Sequence, residues 1–382
     1  MSLMDTKKCR IAFVWHKSID KFFIGKDVYA ISSRLAKLGY ETYLIVDKYK
    51  IKNYNIDNLN IIELKFSGHS KIHAILWGFQ VFNVLKSIRP NIIMYLHPYL
   101  GHIISGILFK LFYGKNIFLY MKLDYNGKKP RNILKQISFA IRLYLILIVF
   151  DLISIETKCA RSRLIQWLKP PYRLSNKIIV IPDGYNDNVF NVSENNKREK
   201  LIITVARIVK SKGIDIVVKA FKLLQSRYPD WELVIIGPIV DKKYYKDIYN
   251  YIKKYNLNVK FLGKLSQEQI SEYYKRAYIF VLPTLSESFG LARVEAAAQG
   301  LPVITTAVPC RYDLENYGFI LLDNPTDVNE LYNKIRMFIE DVNYRDAVAS
   351  RSRKSLKSWS DITLLILNEI NKRKSKYIKC KL

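Results

Sequence analysis

The stretch Glu287-Ser-Phe-Gly-Leu-Ala-Arg-Val-Glu295-Ala-Ala-Ala-Gln-Gly300-Leu-Pro302 decides how this chain is read. A β-branched, apolar run from Tyr278 to Leu282 precedes it and Val303-Ile-Thr-Thr306 follows, so the local order is strand, loop, helix, strand. Gly300 caps the helix and Pro302 stops it. In a βαβ unit of this kind the loop leaving the strand and the next helix N-terminus face the carboxyl end of a parallel sheet, where ligands bind. The helix is expected to begin near Gly290, where free N–H groups and the helix dipole favour an anion such as a diphosphate. Glu287 lies just before that point and Glu295 lies inside the helix, at most about 12 Å away. One carboxylate can therefore meet each end of a molecule with phosphates in its middle. Carboxylates only accept, which suits ribose or hexose hydroxyls. The alternative is a pair of ordinary solvated helix charges; the Phe-Gly turn, the Ala run and the Gly-x-Pro end weigh against it.

Upstream, the apolar run Leu201-Ile-Ile-Thr-Val205 passes through Ala206 into Arg207-Ile-Val-Lys-Ser-Lys212-Gly213. Two cations thus stand at the carboxyl end of a strand and before a helix. Arg offers a planar fork and Lys a compact charge, the two ways of holding phosphate. A surface Arg-Lys cluster is the bland reading in so basic a chain. Gly237-Pro238 ends the strand Glu232 to Ile236, either to let a nucleotide approach the backbone or as a simple turn.

These segments resemble the retaining family 4 glycosyltransferases, the group 1 glycosyl transferases, through Glu287-x7-Glu295 and the Arg207…Lys212 pair. The resemblance implies the GT-B fold: α/β, two Rossmann-like doubly wound parallel-sheet domains facing a cleft, with a C-terminal helix crossing back to the first domain. It implies that Glu287 contacts a donor sugar and Glu295 the nucleotide ribose. The backbone of Phe289, Gly290 and Leu291 then approaches sugar and diphosphate, and Arg207 and Lys212 hold the diphosphate. Family members carry a Gly-Gly loop after the first strand, where this chain has Gly25 alone in Phe22-Phe-Ile-Gly-Lys-Asp27. They also carry a His-Asp pair that corresponds to Leu123-Asp124, so His is missing and Lys122 is the candidate substitute donor. His97, after the strand Asn91 to Tyr95, is a further sugar-side or acceptor-side candidate, or a structural histidine. Ile181-Pro-Asp-Gly-Tyr-Asn186 resembles the family's Ile-Pro-Asn-Gly-Val-Asp turn beside the cleft.

At 382 residues, nearly half hydrophobic, the chain is long enough for two domains with separate cores. Strand-like and helix-like segments alternate from Arg10 onward, as a parallel sheet requires, and again from Leu201. The first set ends near Pro182-Asp183-Gly184 and a charged linker, Val192 to Lys200, follows. We place the domains at residues 1–188 (acceptor side), 189–360 (nucleotide-sugar donor side) and 361–382 (crossing helix and basic tail). The four cysteines show no zinc spacing, and neither a metal nor another cofactor is required by any motif. The apolar run Ile11 to Trp15 is too short for a signal-peptide core, and Leu143 to Phe150 falls far short of a membrane span. A cytoplasmic enzyme, peripheral on the inner membrane face, is expected.

A formal net charge of +29 calls for an anionic partner, unless an AT-rich genome has inflated Lys and Tyr. No zinc finger, RNP-like motif or basic-region helix argues for nucleic acid. Lys128, Lys129, Arg131, Lys135 and Arg142 lead into Leu143-Tyr-Leu-Ile-Leu-Ile-Val-Phe150, a basic-then-apolar helix that fits an anionic membrane interface or a buried helix on a sheet. The tail adds Lys372, Arg373, Lys374, Lys376, Lys379 and Lys381. The expected reaction is transfer of a hexosyl unit from a nucleotide-sugar to a lipid-linked or cell-envelope glycan. A nucleotide-sugar epimerase of the same fold and a non-catalytic nucleotide- or nucleic-acid-binding protein are the alternatives.

Overall fold

The computed structural model describes residues 8–20, 23–51, 56–65, 70–192, 198–308 and 310–374. Phe22, the linker residues 193–197 and the tail lysines 376, 379 and 381 lie outside them. The chain forms two compact units, 1–183 with 359–382, and 184–358.

The first unit runs β1 (Arg10–Val14), α1 (Asp27–Lys37), β2 (Glu41–Val46), β3 (Leu59–Glu63), α2 (Lys71–Ile88), β4 (Ile92–Leu96) and α3 (Leu100–Tyr113). It continues through β5 (Phe118–Leu123), α4 (Ile133–Val149), β6 (Leu152–Ile155), α5 (Lys158–Leu168), α6 (Tyr172–Ser175) and β7 (Ile178–Val180). Its seven strands are ordered β3-β2-β1-β4-β5-β6-β7, every described pairing being parallel. β4 and β5 are buried along their whole length, as expected of strands covered on both faces. Local signals set the helices: Asn132 Oδ1 accepts from the N–H groups of Leu134 and Lys135 at 2.9 and 3.2 Å to start α4, and Thr157 does the same for α5.

The second unit runs β8 (Leu201–Val205), α7 (Ile214–Arg227), β9 (Glu232–Ile236), α8 (Lys242–Lys254), β10 (Val259–Phe261), α9 (Gln267–Arg276) and β11 (Ile279–Leu282). After it come α10 (Leu291–Ala298), β12 (Val303–Thr306), α11 (Arg311–Glu315), β13 (Ile320–Leu322), α12 (Val328–Glu340) and α13 (Val342–Ser355). The six parallel strands are ordered β10-β9-β8-β11-β12-β13. The last helix, α14 (Trp359–Arg373), returns to the first unit and packs on α1, with Trp359 fully buried and its indole N–H donating to Gly25 O at 2.9 Å.

The unit boundaries fall at 183/184 and 358/359, not at 188 and 360. Bonding on either side explains both: the Asp183 side chain belongs to a buried ion cluster of the first unit, whereas the Tyr185 backbone N–H donates to Lys357 O at 3.2 Å within the second.

Candidate active site

In the second unit the chain winds outward from β8 through β9 to β10 on one side and from β11 through β12 to β13 on the other. The carboxyl ends of β8 and β11 therefore flank a topological switch point, where a doubly wound sheet opens a crevice for ligands. The two strands are direct neighbours, Ile202 pairing with Ile279 and Ile203 with Phe280. Beyond them their loops are tied together: Leu285 N–H donates to Ser211 O at 2.8 Å and Thr284 Oγ1 to the same oxygen at 3.2 Å. Gly213 makes this possible, since its φ is +67° and a Cβ there would lie 2.4 Å from Pro283 O.

That tie brings together two residues 75 positions apart. Lys212 Nζ is ion-paired to Glu287 Oε1 and donates to Ser286 O at 3.3 Å. The two side chains are only 10% and 16% exposed. Arg207, just past β8, is exposed. Gly290, at φ +87°, precedes α10 and no side chain caps the first turn, so the helix offers backbone N–H groups at the expected place. Phe289 is buried, packed edge-on to Tyr317 with centroids 5.8 Å apart, and Leu291 is half-buried.

Glu295 is buried on α10, its Oε1 accepting from Gln267 Nε2 at 3.0 Å, and Gln267 Oε1 in turn accepts from Asn186 Nδ2 at 3.0 Å. Gly237 has a packing duty: at φ +147° a Cβ would lie 1.9 Å from Ala206 O, so it lets the loops after β8 and β9 approach one another.

Arg293 escaped sequence reading. It is fully buried in α10 and donates to Phe289 O, to Val308 O at 3.0 Å and to Thr305 Oγ1 at 3.4 Å, clamping the loop that carries Glu287. Burial pushes its guanidinium down to about 10, against the pull of Glu287. An arginine inside an otherwise apolar Ala-rich helix was the available signal.

In the first unit the sheet's strand ends carry a different constellation. Lys122, in β5, is buried, with Nζ 3.1 Å from Asp27 Oδ2, 2.9 Å from Glu156 Oε1 and 2.9 Å from Asp183 Oδ1. An ammonium has three hydrogens, and three carboxylates surround this one. The expectation that Lys122 donates to a sugar is thereby corrected: it is a buried counter-ion.

His97, after β4, sits at φ +66°, a left-handed conformation costly for a non-glycine residue and frequent at functional sites. Its N–H donates to Lys122 O at 2.9 Å, its ring lies 5.0 Å from that of Trp15, and its Nδ1 is 3.9 Å from Asp124 Oδ2. Burial holds the imidazole below its ordinary value, against Asp27 and Asp124, which favours the neutral ring. Asp124 is exposed, whereas Leu123 is packed in the core. Gly25 is buried, its carbonyl occupied by Trp359.

The three carboxylates around Lys122 differ. Burial pushes Glu156 up to about 8 and Asp183 up to about 6, both against the attraction of Lys122. For Asp27 the same attraction overcomes burial and holds the carboxyl below its usual range. Glu156 Oε2 has no hydrogen-bond partner among the described residues. Because folding raises Glu156, the folded state holds its proton longer than the unfolded state. Its contribution to stability is complete below the ordinary value of 4.5 and is lost as pH rises through about 8. Glu156→Gln is therefore expected to flatten the fall in Tm between pH 6 and pH 9, each kcal/mol being worth about 2–4 °C for a unit of this size. A variant whose Tm falls as steeply as that of the parent would remove Glu156 from this account.

The model of the glycosyl transferases group 1 family matches residues 186–355. A capsular polysaccharide biosynthesis glycosyltransferase of Staphylococcus aureus is 30% identical over 199 residues, 48% of this chain and 51% of that protein. An uncharacterized glycosyltransferase of Methanocaldococcus jannaschii is 30% identical over 190 residues, 49% and 51% of the two chains. The match thus spans about half the length of these curated relatives. Among solved structures, a sucrose-phosphate synthase of Thermosynechococcus elongatus superposes with a TM-score of 0.75 at 19% identity, over 96% of this chain and 99% of the other. An Anabaena protein in complex with UDP-glucose gives 0.73 at 15% identity, over 95% and 100%. With its two parallel-sheet units the chain has the GT-B fold, and its residues 186–355 match the model of the group 1 glycosyl transferases.

Proposed function

We propose that the protein is a retaining glycosyltransferase, moving a hexosyl unit from a nucleotide-sugar to a lipid-linked or cell-envelope glycan at the cytoplasmic face of the membrane. The observation that carries this reading is the Lys212–Glu287 contact at the β8/β11 switch point, beside the uncapped start of α10. A sugar diphosphate suits both partners, since its hydroxyls can take the place of Lys212 on Glu287 while its phosphates draw the ammonium, Arg207 and the first N–H groups of α10. Glu295 takes the ribose, and Phe289, Gly290, Leu291 and Gly237 shape the donor's path. His97 and Asp124 stand on the sugar or acceptor side.

In the transfer the bond from the anomeric carbon to the leaving phosphate oxygen breaks and a bond to an acceptor hydroxyl oxygen forms on the same face. The acceptor proton passes to the departing diphosphate. Charge accumulates on that diphosphate, and the fixed cations Arg207 and Lys212 stabilise it where it develops, so the reading needs neither a metal nor a covalent nucleophile. Support comes from the Anabaena protein in complex with UDP-glucose and from the capsular polysaccharide relative.

The donor is identified by thermal shift against UDP-, GDP- and ADP-sugars. A ligand held by the native state at 100 times its Kd adds about 2.7 kcal/mol, enough to move Tm by several degrees. The shift should disappear in Arg207→Ala. If no sugar nucleotide moves Tm, the reading fails. Formation of a new sugar nucleotide without acceptor would replace transfer by epimerisation.

A further inference from the structure

Glycosyl transfer leaves one large surface of the first unit unused. From Leu64 to Phe150 the sequence holds a single carboxylate, Asp124, against twelve lysines and arginines. The chain's own average, 33 acidic residues in 382, would place about seven there. A base composition that favours lysine codons acts on the whole chain and does not clear acids from one stretch. The deficit therefore has a local cause.

That stretch contains α2, α3 and α4. The crossovers β3 to β4, β4 to β5 and β5 to β6 all advance in the same direction across the sheet, so right-handed connections put the three helices on one face. They pack as a layer, α2 against α3 and α3 against α4, with Phe82 and Phe112 ring centroids 5.4 Å apart.

The outer side of this layer is apolar. On α4, Ile133, Ile137, Ile141 and Ile148 are 64, 52, 56 and 61% exposed and recur every four or seven residues, forming one stripe. The other side of the same helix buries Leu143, Ile146 and Leu147 against the sheet. On α2, Ile72, Leu76 and Phe79 repeat the pattern, all exposed, and Phe112 of α3 is 70% exposed. Cations border the stripe on α4: Lys128, Lys129, Arg131 and Lys135 are exposed.

We propose that the α2-α3-α4 layer docks on the surface of an anionic lipid bilayer, with the isoleucine stripe in the acyl-headgroup boundary and the cations on lipid phosphates. Among the described residues no helix is long and apolar enough to cross a membrane, so α4 lies in the interface. A second copy of this face is a poor partner, because the exposed Lys128, Lys129, Arg131 and Lys135 would meet their like, with Asp124 the one carboxylate of the stretch. Nucleic acid would satisfy the charge and leave the aliphatic stripe in water, since exposed isoleucines give bases no stacking surface. A bilayer with acidic headgroups answers both features at once. The docking goes beyond the enzymatic reading; only its use, to reach a lipid-linked acceptor, rests on it.

The test is co-sedimentation of the full chain with vesicles of phosphatidylcholine alone and of phosphatidylcholine with phosphatidylglycerol. Binding is expected to the anionic vesicles only, to weaken as salt is raised, and to fall about tenfold or more in the triple variant Ile133→Ser, Ile137→Ser, Ile141→Ser. Neutralising Lys128, Lys129 and Arg131 to Gln should lower it as well. These side chains are exposed, and an unchanged parental Tm confirms that each variant is folded. Binding that the triple variant leaves unaltered, or pelleting without vesicles through self-association, would overturn the proposal. A donor-induced thermal shift that persists when vesicle binding is absent would separate this failure from failure of the glycosyltransferase reading.

Discussion

Lys212→Ala is expected to lower kcat by about 10²–10³-fold, the range found when one preorganised charge or donor is removed from a developing anion. The side chain is held by Glu287 and by Ser286 O in a site that water reaches poorly, so on the proposed reading its charge would act with little screening on a diphosphate bound there. Lys212→Arg should not restore the rate, because a planar fork cannot occupy the position of a compact ammonium between those two acceptors. Glu287→Gln should also be impaired. Since the two residues touch, the double variant should be scarcely worse than Lys212→Ala alone. A purely structural pair would behave otherwise: Tm would fall and kcat of the folded fraction would stay within about threefold of the parent. That result would end the assignment of Lys212 to the leaving diphosphate.

The distance between Glu287 and Lys212 in the chain shows what is legible in a sequence of this kind. The start of α10 beside Gly290 and its end before Gly300 follow from backbone rules that act over a few residues. The strands named from the sequence are local too: Leu201 to Val205, Glu232 to Ile236 and Val303 to Thr306 keep their limits and the run from Tyr278 starts one residue later, whereas β13 has no counterpart in the sequence reading. The contact of Lys212 with Glu287 depends instead on β8 and β11 being neighbours, which no local pattern specifies.

The carboxylates around Lys122 are a stronger case. Asp27 comes from the start of α1, Glu156 from the end of β6 and Asp183 from the loop after β7, and neither Asp27 nor Glu156 stood out by itself in the sequence. Lys122 therefore read as a free donor. The helices Lys71–Ile88 and Leu100–Tyr113 were hidden for another reason: they are apolar on their outer as well as their inner sides, so the 3.6-residue alternation that marks a surface helix is weak. The feature that obscures them as surface helices is the one that gives the first unit its exposed apolar face.

Lys122→Met is expected to destabilise the first unit by about 3–5 kcal/mol, the cost of removing one member of a buried ion cluster and leaving the others uncompensated. Methionine matches the length of the lysine stem, so the loss comes from charge, not from a cavity. Without the ammonium, Asp27, Glu156 and Asp183 repel one another at close range, and at least two must take up protons for the fold to persist. The loss should therefore be larger at pH 8 than at pH 5, where protonation relieves the cluster. Combining Lys122→Met with Glu156→Gln should recover part of the stability, because the most buried carboxylate is then neutral at every pH. The effect on donor recognition should be small, since Arg207, Lys212, Glu287 and Glu295 all belong to the other unit. If Lys122→Met unfolds at the parental temperature at pH 8, the cluster is not held together by its lysine. If it keeps its stability and loses only activity, Lys122 acts on substrate after all.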